Sequence, residues 1–327
     1  MSKKIMYVDL FSGAGGFSLG FEMTGNFEPI LAIDNNKAAA ETYKANFPRT
    51  IVIAEDIKSI SSRFIADTVG EEVDLVIGSP PCEPFTGANP RRQKNPVDRL
   101  YTDPMGQLTL HFIRIVGYLR PRVFVMENVP AIMEDGLREA LIYEFRRAGY
   151  ERVFFNLLRA EDYGTPSRRR RVFISNIPIS PPKIRKRVRV IDALWGLPPP
   201  GEGWIPNHDP PPPLSNRKMK RAGKLGWGDA MIYYQGAERY LPNLVKLNPF
   251  DIAPTVLGSS RFIHPFENRL LTVREQARLM GFPDSFVFYG GRDEAYNMVG
   301  EAVPPPLAEA IAREVYMYLT GEVKTPG

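Results

Sequence analysis

The segment Ile5-Met-Tyr-Val-Asp-Leu-Phe-Ser-Gly-Ala-Gly-Gly-Phe17 joins a short apolar run to a glycine-rich turn. The run Ile5–Leu10 predicts a strand, Gly13–Gly16 predict a tight turn, and a helix is expected from about Phe17. A strand that leads through such a turn into a helix lets the backbone approach a ligand closely at the carboxyl edge of a sheet. This segment therefore predicts the start of an α/β fold with a ligand site at the turn.

Strands and helices continue to alternate through the first half of the chain. Six further strands are predicted by the segments Pro29–Ile33, Ile51–Ile53, Val73–Ile77, Arg122–Met126, Arg152–Leu158 and Arg171–Ser175. Helices are predicted between them, at 37–47, 58–67, 105–119 and 136–148. Asp103-Pro104 is a suitable opening for the third of these helices, because Asp caps helices and Pro suits the first turn. The alternation predicts a doubly wound, mainly parallel, Rossmann-like sheet.

The pattern changes after Ser175. Residues 178–213 contain proline clusters, which regular helices and central strands do not tolerate. Residues 176–268 also carry 13 Lys/Arg against 7 Asp/Glu, including the clusters Lys183–Arg189 and Arg217–Arg221, whereas the rest of the chain has 29 and 30. We expect a separate irregular domain over 176–268. Its charge fits either contact with a polyanion or a charged surface of thermophilic type. Helical pattern returns at Thr272–Met280 and Pro305–Leu319.

Composition narrows the class of protein. Hydrophobic content of 43% and charged content of 24% are ordinary for a globular protein. The N-terminal sequence predicts no signal peptide, and no stretch reaches the ~20 apolar residues of a membrane span, so we expect a cytoplasmic protein without membrane contact. The single cysteine excludes an internal disulfide framework, and with three histidines it argues against structural zinc.

The one cysteine lies in the segment Gly78-Ser-Pro-Pro-Cys-Glu-Pro-Phe-Thr86. Cys82 follows the predicted strand Val73–Ile77, so it is placed where α/β enzymes hold their sites. A lone cysteine is more often an inert buried residue, but the prolines fix its direction and reverse that expectation. The polar and basic segment Gly87–Arg99 is typical of a mobile lid over an anionic substrate.

Other polar groups are predicted at the same sheet edge. Asp34 ends the second strand, where a carboxylate can bind ribose hydroxyls. Ser18 replaces the third glycine of the dinucleotide fingerprint, which disfavours NAD and favours a nucleoside-type ligand. Glu127 ends another strand, where it either binds a neighbouring loop or supplies a proton to a ring nitrogen. Alternation places Arg169 and Arg171 on one face of a strand; a solvated edge strand is the alternative.

In this order, the motifs resemble those of the DNA cytosine-5 methyltransferase family over nearly the whole chain except 176–253. The matching motifs are Asp-Leu-Phe-Ser-Gly-x-Gly-Gly at 9–16, Asp34, Asp56-Ile57, Pro-Pro-Cys at 80–82, Glu-Asn-Val at 127–129, Arg-x-Arg at 169–171, Leu271–Glu275, Gly281–Asp284 and Gly300–Pro304. The resemblance implies a catalytic S-adenosylmethionine-binding domain, 1–175 completed by 269–327. It also implies a target-recognition domain over 176–268, with Thr255-Val256 near its end.

The resemblance also implies which residues act and how. The cofactor pocket would be lined by Phe11, Gly13, Gly15, Asp34, Asp56, Ile57 and Leu108. Cytosine would be flipped out of the duplex, the Cys82 thiolate would add to C6, and C5 would take the methyl group. Glu127 would protonate or hydrogen-bond N3, Arg171 would help to hold the base, and Arg169 is the fourth expected catalytic residue. No metal is implied, the partner is double-stranded DNA, and we expect a monomer; a cognate restriction endonuclease would be a further partner.

Four positions depart from the family pattern: Glu83 for Gln, Thr86 for Ser, Ser167 for Gln and Glu301 for Asn. Glu83 places a second anion beside the thiolate, which should raise the pKa of the cysteine unless an arginine offsets it. A tRNA cytosine-5 methyltransferase is the nearest alternative, but that branch carries a Cys-Phe-Thr signature and this chain has no second cysteine. A non-catalytic binding relative is the other alternative, although Cys82 and Glu127 are both retained.

Overall fold

A seven-stranded sheet forms the centre of the computed structural model, which describes residues 4–70, 72–134, 136–236, 240–259 and 262–322. The strand order is β3-β2-β1-β4-β5-β7-β6, with β1 Ile5–Leu10, β2 Phe27–Ile33, β3 Ile51–Ile53, β4 Leu75–Gly78, β5 Val123–Asn128, β6 Phe154–Arg159 and β7 Arg170–Ser175. This confirms the doubly wound Rossmann-like sheet. The N-terminal and C-terminal ends of the expected catalytic domain, 1–3 and 323–327, lie outside the described residues.

One strand runs against the others. β1 to β5 pair in parallel, whereas β7 pairs antiparallel with both β5 and β6, so the sheet is mixed. The cause is the short connection between β6 and β7, which holds only the 3-10 turn Ala160–Tyr163 and a few further residues. A parallel crossover needs a dozen or more residues, so the chain turns back on itself instead.

Eleven α-helices lie in the described part of the chain. They are α1 Gly16–Met23, α2 Lys37–Asn46, α3 Ser62–Val69, α4 Asp98–Tyr101, α5 Leu108–Leu119, α6 Leu137–Arg147, α7 Val190–Leu194, α8 Asn216–Ala222, α9 Val273–Leu279, α10 Arg292–Glu301 and α11 Pro305–Thr320. Alternate residues of β1 face opposite layers: Val8 packs with Phe112 of α5, whereas Tyr7 packs with Phe21 of α1 and Ile311 of α11. Both faces of the sheet are therefore covered, as a parallel sheet requires. We find no helix among these with the length and apolarity that a bilayer span needs.

Several element boundaries differ from those predicted. The helix expected from 105 begins at Leu108, because Asp103 Oδ1 accepts hydrogen bonds from the N–H groups of Met105 and Gly106 and closes a separate turn. The helix expected from 58 begins only at Ser62, after Ser61 caps the N–H of Phe64. Helix α10 was not predicted from the sequence.

The segment 176–268 is only partly irregular. Its proline-rich part contains the short helix α7, but three strands form a second sheet in the order β10-β9-β8: β8 Ala230–Gln235, β9 Tyr240–Lys246 and β10 Phe262–Ile263. The expectation of irregular structure is thus wrong for this sheet. Several large side chains of this sheet, such as Tyr233 and Tyr240, are exposed, whereas the central strands β4 and β5 of the large sheet are buried along their whole length.

Close contact between α1 and α11 generates a stability prediction. A Cβ atom at Gly20 would lie 2.5 Å from the carbonyl oxygen of Pro305 and 2.6 Å from the backbone nitrogen of Glu309. Gly20→Ala should therefore lower the free energy of unfolding by ~1–3 kcal/mol, despite the better helix propensity of Ala. Urea denaturation measures this, with Gly87→Ala as the control, because Gly87 has open space around it. Equal stability of the two variants would contradict the predicted close contact.

Candidate active site

A cavity of about 880 Å³ opens at the carboxyl edge of the large sheet. Its walls come from the glycine turn after β1, the ends of β2 and β4, and residues of β5 and β7. The segments 254–258 and 297–303 close the far side, and the second sheet contributes Tyr234, Leu241 and Phe262. The cavity is large enough for a nucleoside-type ligand and a second ring side by side.

One half of the cavity contains six of the seven expected cofactor residues: Phe11, Gly13, Asp34, Asp56, Ile57 and Leu108. Asp34 Oδ2 accepts the N–H of Gly13 at 2.8 Å, which ties the end of β2 to the glycine turn. Burial raises the pKa of the Asp34 carboxyl, and its backbone hydrogen bonds oppose the rise. Phe11 has a φ of 55°, a conformation that non-glycine residues adopt rarely and mostly at functional sites.

Gly15 does not line the cavity. It has a φ of 92°, and a Cβ atom there would lie 3.0 Å from the Tyr43 ring and still closer to Phe47. Glycine is needed at this position so that the turn can pack against α2. Gly15 therefore supports the glycine turn by packing against α2, whereas the family resemblance implied that it lines the cofactor pocket.

A buried polar group lies behind the glycine turn, and the sequence did not point to it. Ser18 donates a hydrogen bond of 2.6 Å to Asp9 Oδ2 and accepts one of 2.7 Å from the Tyr43 hydroxyl. Burial raises the pKa of Asp9 to about 8, although the Ser18 bond lowers it. Ser18 is the residue that breaks the dinucleotide fingerprint. Its hydroxyl makes two hydrogen bonds, with Asp9 and Tyr43, that a glycine at this position could not make.

Cys82 lies in a turn after β4 and faces the cavity. Its carbonyl oxygen accepts the N–H groups of Phe85 and Thr86, both at 3.0 Å. Asn128 fixes the start of the turn, because its side-chain amide donates to the carbonyl of Pro80 at 3.2 Å and is fully buried. The sequence identified Asn128 only as part of a motif, and the structure gives it a clear role in holding the cysteine loop.

Glu127 and Arg171 face each other across β5 and β7. Arg171 Nε lies 2.9 Å from Glu127 Oε1, and the two side chains are 13% and 7% exposed. Glu127 lies within β5, not beyond its end as predicted, because antiparallel pairing with Phe173 of β7 lengthens the strand. Both groups line the cavity together with Cys82.

Arg169 also lines the cavity, but its guanidinium is turned into the protein. It donates to the carbonyl oxygens of Val256, Gly300 and Glu301 at 3.2, 2.8 and 3.1 Å. Burial and, to a smaller extent, the nearby Arg171 lower the pKa of Arg169 to about 9. Arg168 and Arg170 are exposed, so the predicted alternation of the four arginines is confirmed.

The electrostatic setting keeps the Cys82 thiol protonated near neutral pH. Burial raises its pKa to about 11, Arg171 lowers it, and Glu127 and Glu83 raise it. Glu83 raises the pKa of Cys82 in the expected direction, but Arg171 lowers it by more than Glu83 raises it, so burial is the main cause of the high pKa. Glu301 is a nearby anion whose own pKa is raised by burial and by Glu83. Ser167 is fully buried next to Met280, so its departure from the pattern affects packing.

Comparison with known proteins gives three consistent findings. The family model described as C-5 cytosine-specific DNA methylase matches residues 5–185 and 214–317. The chain is 46% identical to M.MjaORF1200P of Methanocaldococcus jannaschii, named as a type II methyltransferase, over 95% of this chain and 98% of that protein. It is 32% identical to the type II methyltransferase M.DdeI of Desulfomicrobium norvegicum, over 95% and 88%. A solved E. coli structure, described as a DNA modification methyltransferase encoded within a prophage, superposes with a TM-score of 0.78 at 28% identity, over 97% and 100% of the chains.

The raised pKa of Cys82 predicts slow alkylation of the free protein. With a pKa of about 11, only about one thousandth of the thiol is ionised at pH 8. The iodoacetamide rate should therefore rise roughly tenfold for each pH unit from 7 to 10. Because Cys82 is the only cysteine, mass spectrometry of the intact protein measures this reaction directly. The urea-denatured protein is the control, and a plateau of the native rate by pH 8 would show that the thiolate is stabilised instead.

Proposed function

Because the chain belongs to the C-5 cytosine-specific DNA methylase family, we propose that it transfers a methyl group from S-adenosylmethionine to C5 of a flipped-out cytosine in duplex DNA. The chain is a methyltransferase of a family that methylates DNA. The proposal adds three points: the methyl donor is S-adenosylmethionine, the reaction passes through a covalent bond to Cys82, and the cytosine is flipped out of the duplex. The observation that carries it is the convergence of Cys82, Glu127 and Arg171 on one cavity next to the glycine turn.

The residues present fit S-adenosylmethionine. Asp34, held by the N–H of Gly13, offers a carboxylate for ribose hydroxyls, and Phe11 offers an aromatic face. Ile57 and Leu108 form apolar walls. Asp56 lies next to Ile57 in the sequence, and its Oδ2 forms an ion pair with Lys58 Nζ at 3.2 Å. When bound, this group would supply the methyl group as an electrophile. The glycine turn would exclude water there by lying close to the ligand.

The base would enter the other half of the cavity, because its C5–C6 edge is unreachable within a stacked duplex. The Cys82 thiolate adds to C6 while N3 takes a proton from the Glu127 carboxyl group, which Arg171 holds in place; this proton returns to Glu127 when the sulfur departs. C5 then attacks the methyl group with the electron pair that the ring gained from the sulfur, and a bond forms between C5 and the methyl carbon. A base then removes the C5 proton, the C5–C6 double bond re-forms, and the Cys82 sulfur departs. Because the pKa of the Cys82 thiol is about 11 in the protein without substrate, we propose that the thiol loses its proton when the cytosine binds.

The segment 176–268 is proposed as the target-recognition domain, and the structure separates its two basic clusters. In the first cluster, Lys183 and Arg187 both bind Asp162, at 2.9 and 3.6 Å. In the second, α8 packs on the second sheet through Ala222. Its four cations, Arg217, Lys218, Lys220 and Arg221, are exposed and have no acidic partner among the described residues. Helix α8 is thus the better candidate for contact with DNA phosphates.

The relatives named as type II methyltransferases suggest further partners. A cognate restriction endonuclease that cuts the same site is proposed, together with action as a monomer. A tRNA substrate would use the same chemistry at Cys82, and it is therefore a separate arm of the test below.

Labelled methyl transfer from S-adenosylmethionine to unmethylated duplex DNA and to tRNA tests the proposed reaction. Wild type should label DNA cytosine, Cys82→Ala should label nothing, and Glu127→Gln should be ~10²–10⁴-fold slower because N3 loses its acid. Cofactor binding to Cys82→Ala, measured by calorimetry, is the control for folding. Label in tRNA alone would change the substrate, and no label in either nucleic acid would contradict the proposal.

The contrast between the basic clusters predicts different salt effects. Lys218→Gln with Lys220→Gln should reduce the slope of log Kd against log salt by about 2, since each phosphate contact contributes ~0.9. The matched pair Lys183→Gln with Arg187→Gln should reduce it by less, because the single Asp162 carboxylate already offsets part of their charge. Fluorescence anisotropy with a DNA duplex between ~50 and ~200 mM salt measures both slopes. A larger effect from the Lys183 pair would reverse the assignment.

A further inference from the structure

The segment after the nucleophile is held in place by a buried arginine at its end. Arg99, on α4, is 3% exposed. Its Nε donates to the carbonyl of Gln93 at 2.7 Å and its Nη2 to that of Lys94 at 3.2 Å. Its Nη1 lies 2.7 Å from Glu134 Oε2. A buried guanidinium is costly unless its donors are paired, and here one carboxylate supplies the charge partner.

A second arginine joins the same carboxylate to the turn of the nucleophile. Arg92 Nη1 lies 3.2 Å from Glu134 Oε1 and donates to the carbonyl of Phe85 at 3.1 Å. Phe85 in turn donates its N–H to the carbonyl of Cys82. An unbroken series of contacts therefore runs from Glu134 through Arg92 and Phe85 to Cys82.

Glu134 is itself anchored to the strand that carries Glu127. It directly follows the 3-10 turn Pro130–Met133, which begins two residues after β5 ends, and its N–H bonds to the carbonyl of Ala131. The next described residue is Gly136, and a Cβ atom added there would lie only 3.1 Å from the Val97 side chain. The segment 85–99 therefore packs closely against the chain that follows the 3-10 turn. Glu134 thus links the loop of Cys82 to the strand of Glu127.

We propose that Glu134 is a positioning residue for methyl transfer, which acts through Arg92 and Arg99 by holding 85–99 and, with it, the Cys82 turn. The proposal rests on the proposed function. Glu134 does not line the cavity, so its loss should slow the chemical step and leave both ligands bound. Small misplacement of a reacting group costs up to ~10²-fold in rate. We therefore expect Glu134→Gln to lower kcat ~10- to ~100-fold, with the Kd values for DNA and S-adenosylmethionine changed by less than ~3-fold.

The experiment compares wild type, Glu134→Gln and the control Glu309→Gln, which removes a partly exposed glutamate from a Glu–Arg pair on α11, far from the cavity in sequence and absent from its lining. Single-turnover methyl transfer gives the rate, and anisotropy and calorimetry give the two Kd values. Limited trypsin digestion at Arg91, Arg92 and Lys94 reports on the segment independently of activity. We expect faster cleavage in Glu134→Gln and no change in Glu309→Gln.

Arg92→Gln is the second variant, in case Glu134→Gln does not fold. It breaks the contact with Phe85 and leaves the Arg99–Glu134 pair intact, so a slower rate with unchanged Kd values supports the proposal again. An unchanged or faster rate in the folded variant overturns it, and so does equal loss of rate and of DNA affinity. If wild type transfers no methyl group, the proposed function fails, whereas the trypsin comparison still decides whether Glu134 holds the segment.

Discussion

Hydrogen bonding between the parallel strands β1, β2 and β4 sets the relative positions of the glycine turn, Asp34 and the Cys82 loop. Leu10 pairs with Ile33 on one side and with Gly78 on the other, so three strand ends lie at one level. The bonding continues past the strands, from Ser12 N–H to Ile33 and from Ser79 N–H to Leu10. The glycine turn and the Cys82 loop therefore begin side by side, and any ligand held by one faces the other.

A second constraint closes the cavity from the opposite side. The guanidinium of Arg169 binds carbonyl oxygens from the segment before the second sheet's last strand, at Val256, and from the end of α10, at Gly300 and Glu301. These segments are more than 80 residues apart from it in sequence. Within the part of the chain that the structure describes, no carboxylate forms an ion pair with Arg169, so the carbonyl oxygens stabilise the buried charge. Arg171, two residues further along the chain, instead forms an ion pair with the Glu127 carboxylate.

The surroundings of Cys82 favour its neutral thiol form. Burial and two glutamates favour the neutral Cys82 thiol, and two arginines favour the thiolate. A lone thiol with this setting resists oxidation and adventitious alkylation, since the thiolate is the reactive form. Glu83, which departs from the family pattern, shifts this balance toward the thiol.

The sequence by itself determined the α/β class, the strands of the large sheet, Cys82 as the nucleophile candidate and the alternation of the Arg168–Arg171 strand, because apolar runs, turns and side-chain period are local properties. Only the tertiary structure showed that β7 is antiparallel, that Gly15 packs away from the cavity, and that Arg169 binds backbone carbonyls while Arg171 pairs with Glu127. The second sheet and the Glu134 contacts also became visible only there. Each of these depends on which distant segments meet, and long-range pairing leaves no periodic mark in the sequence.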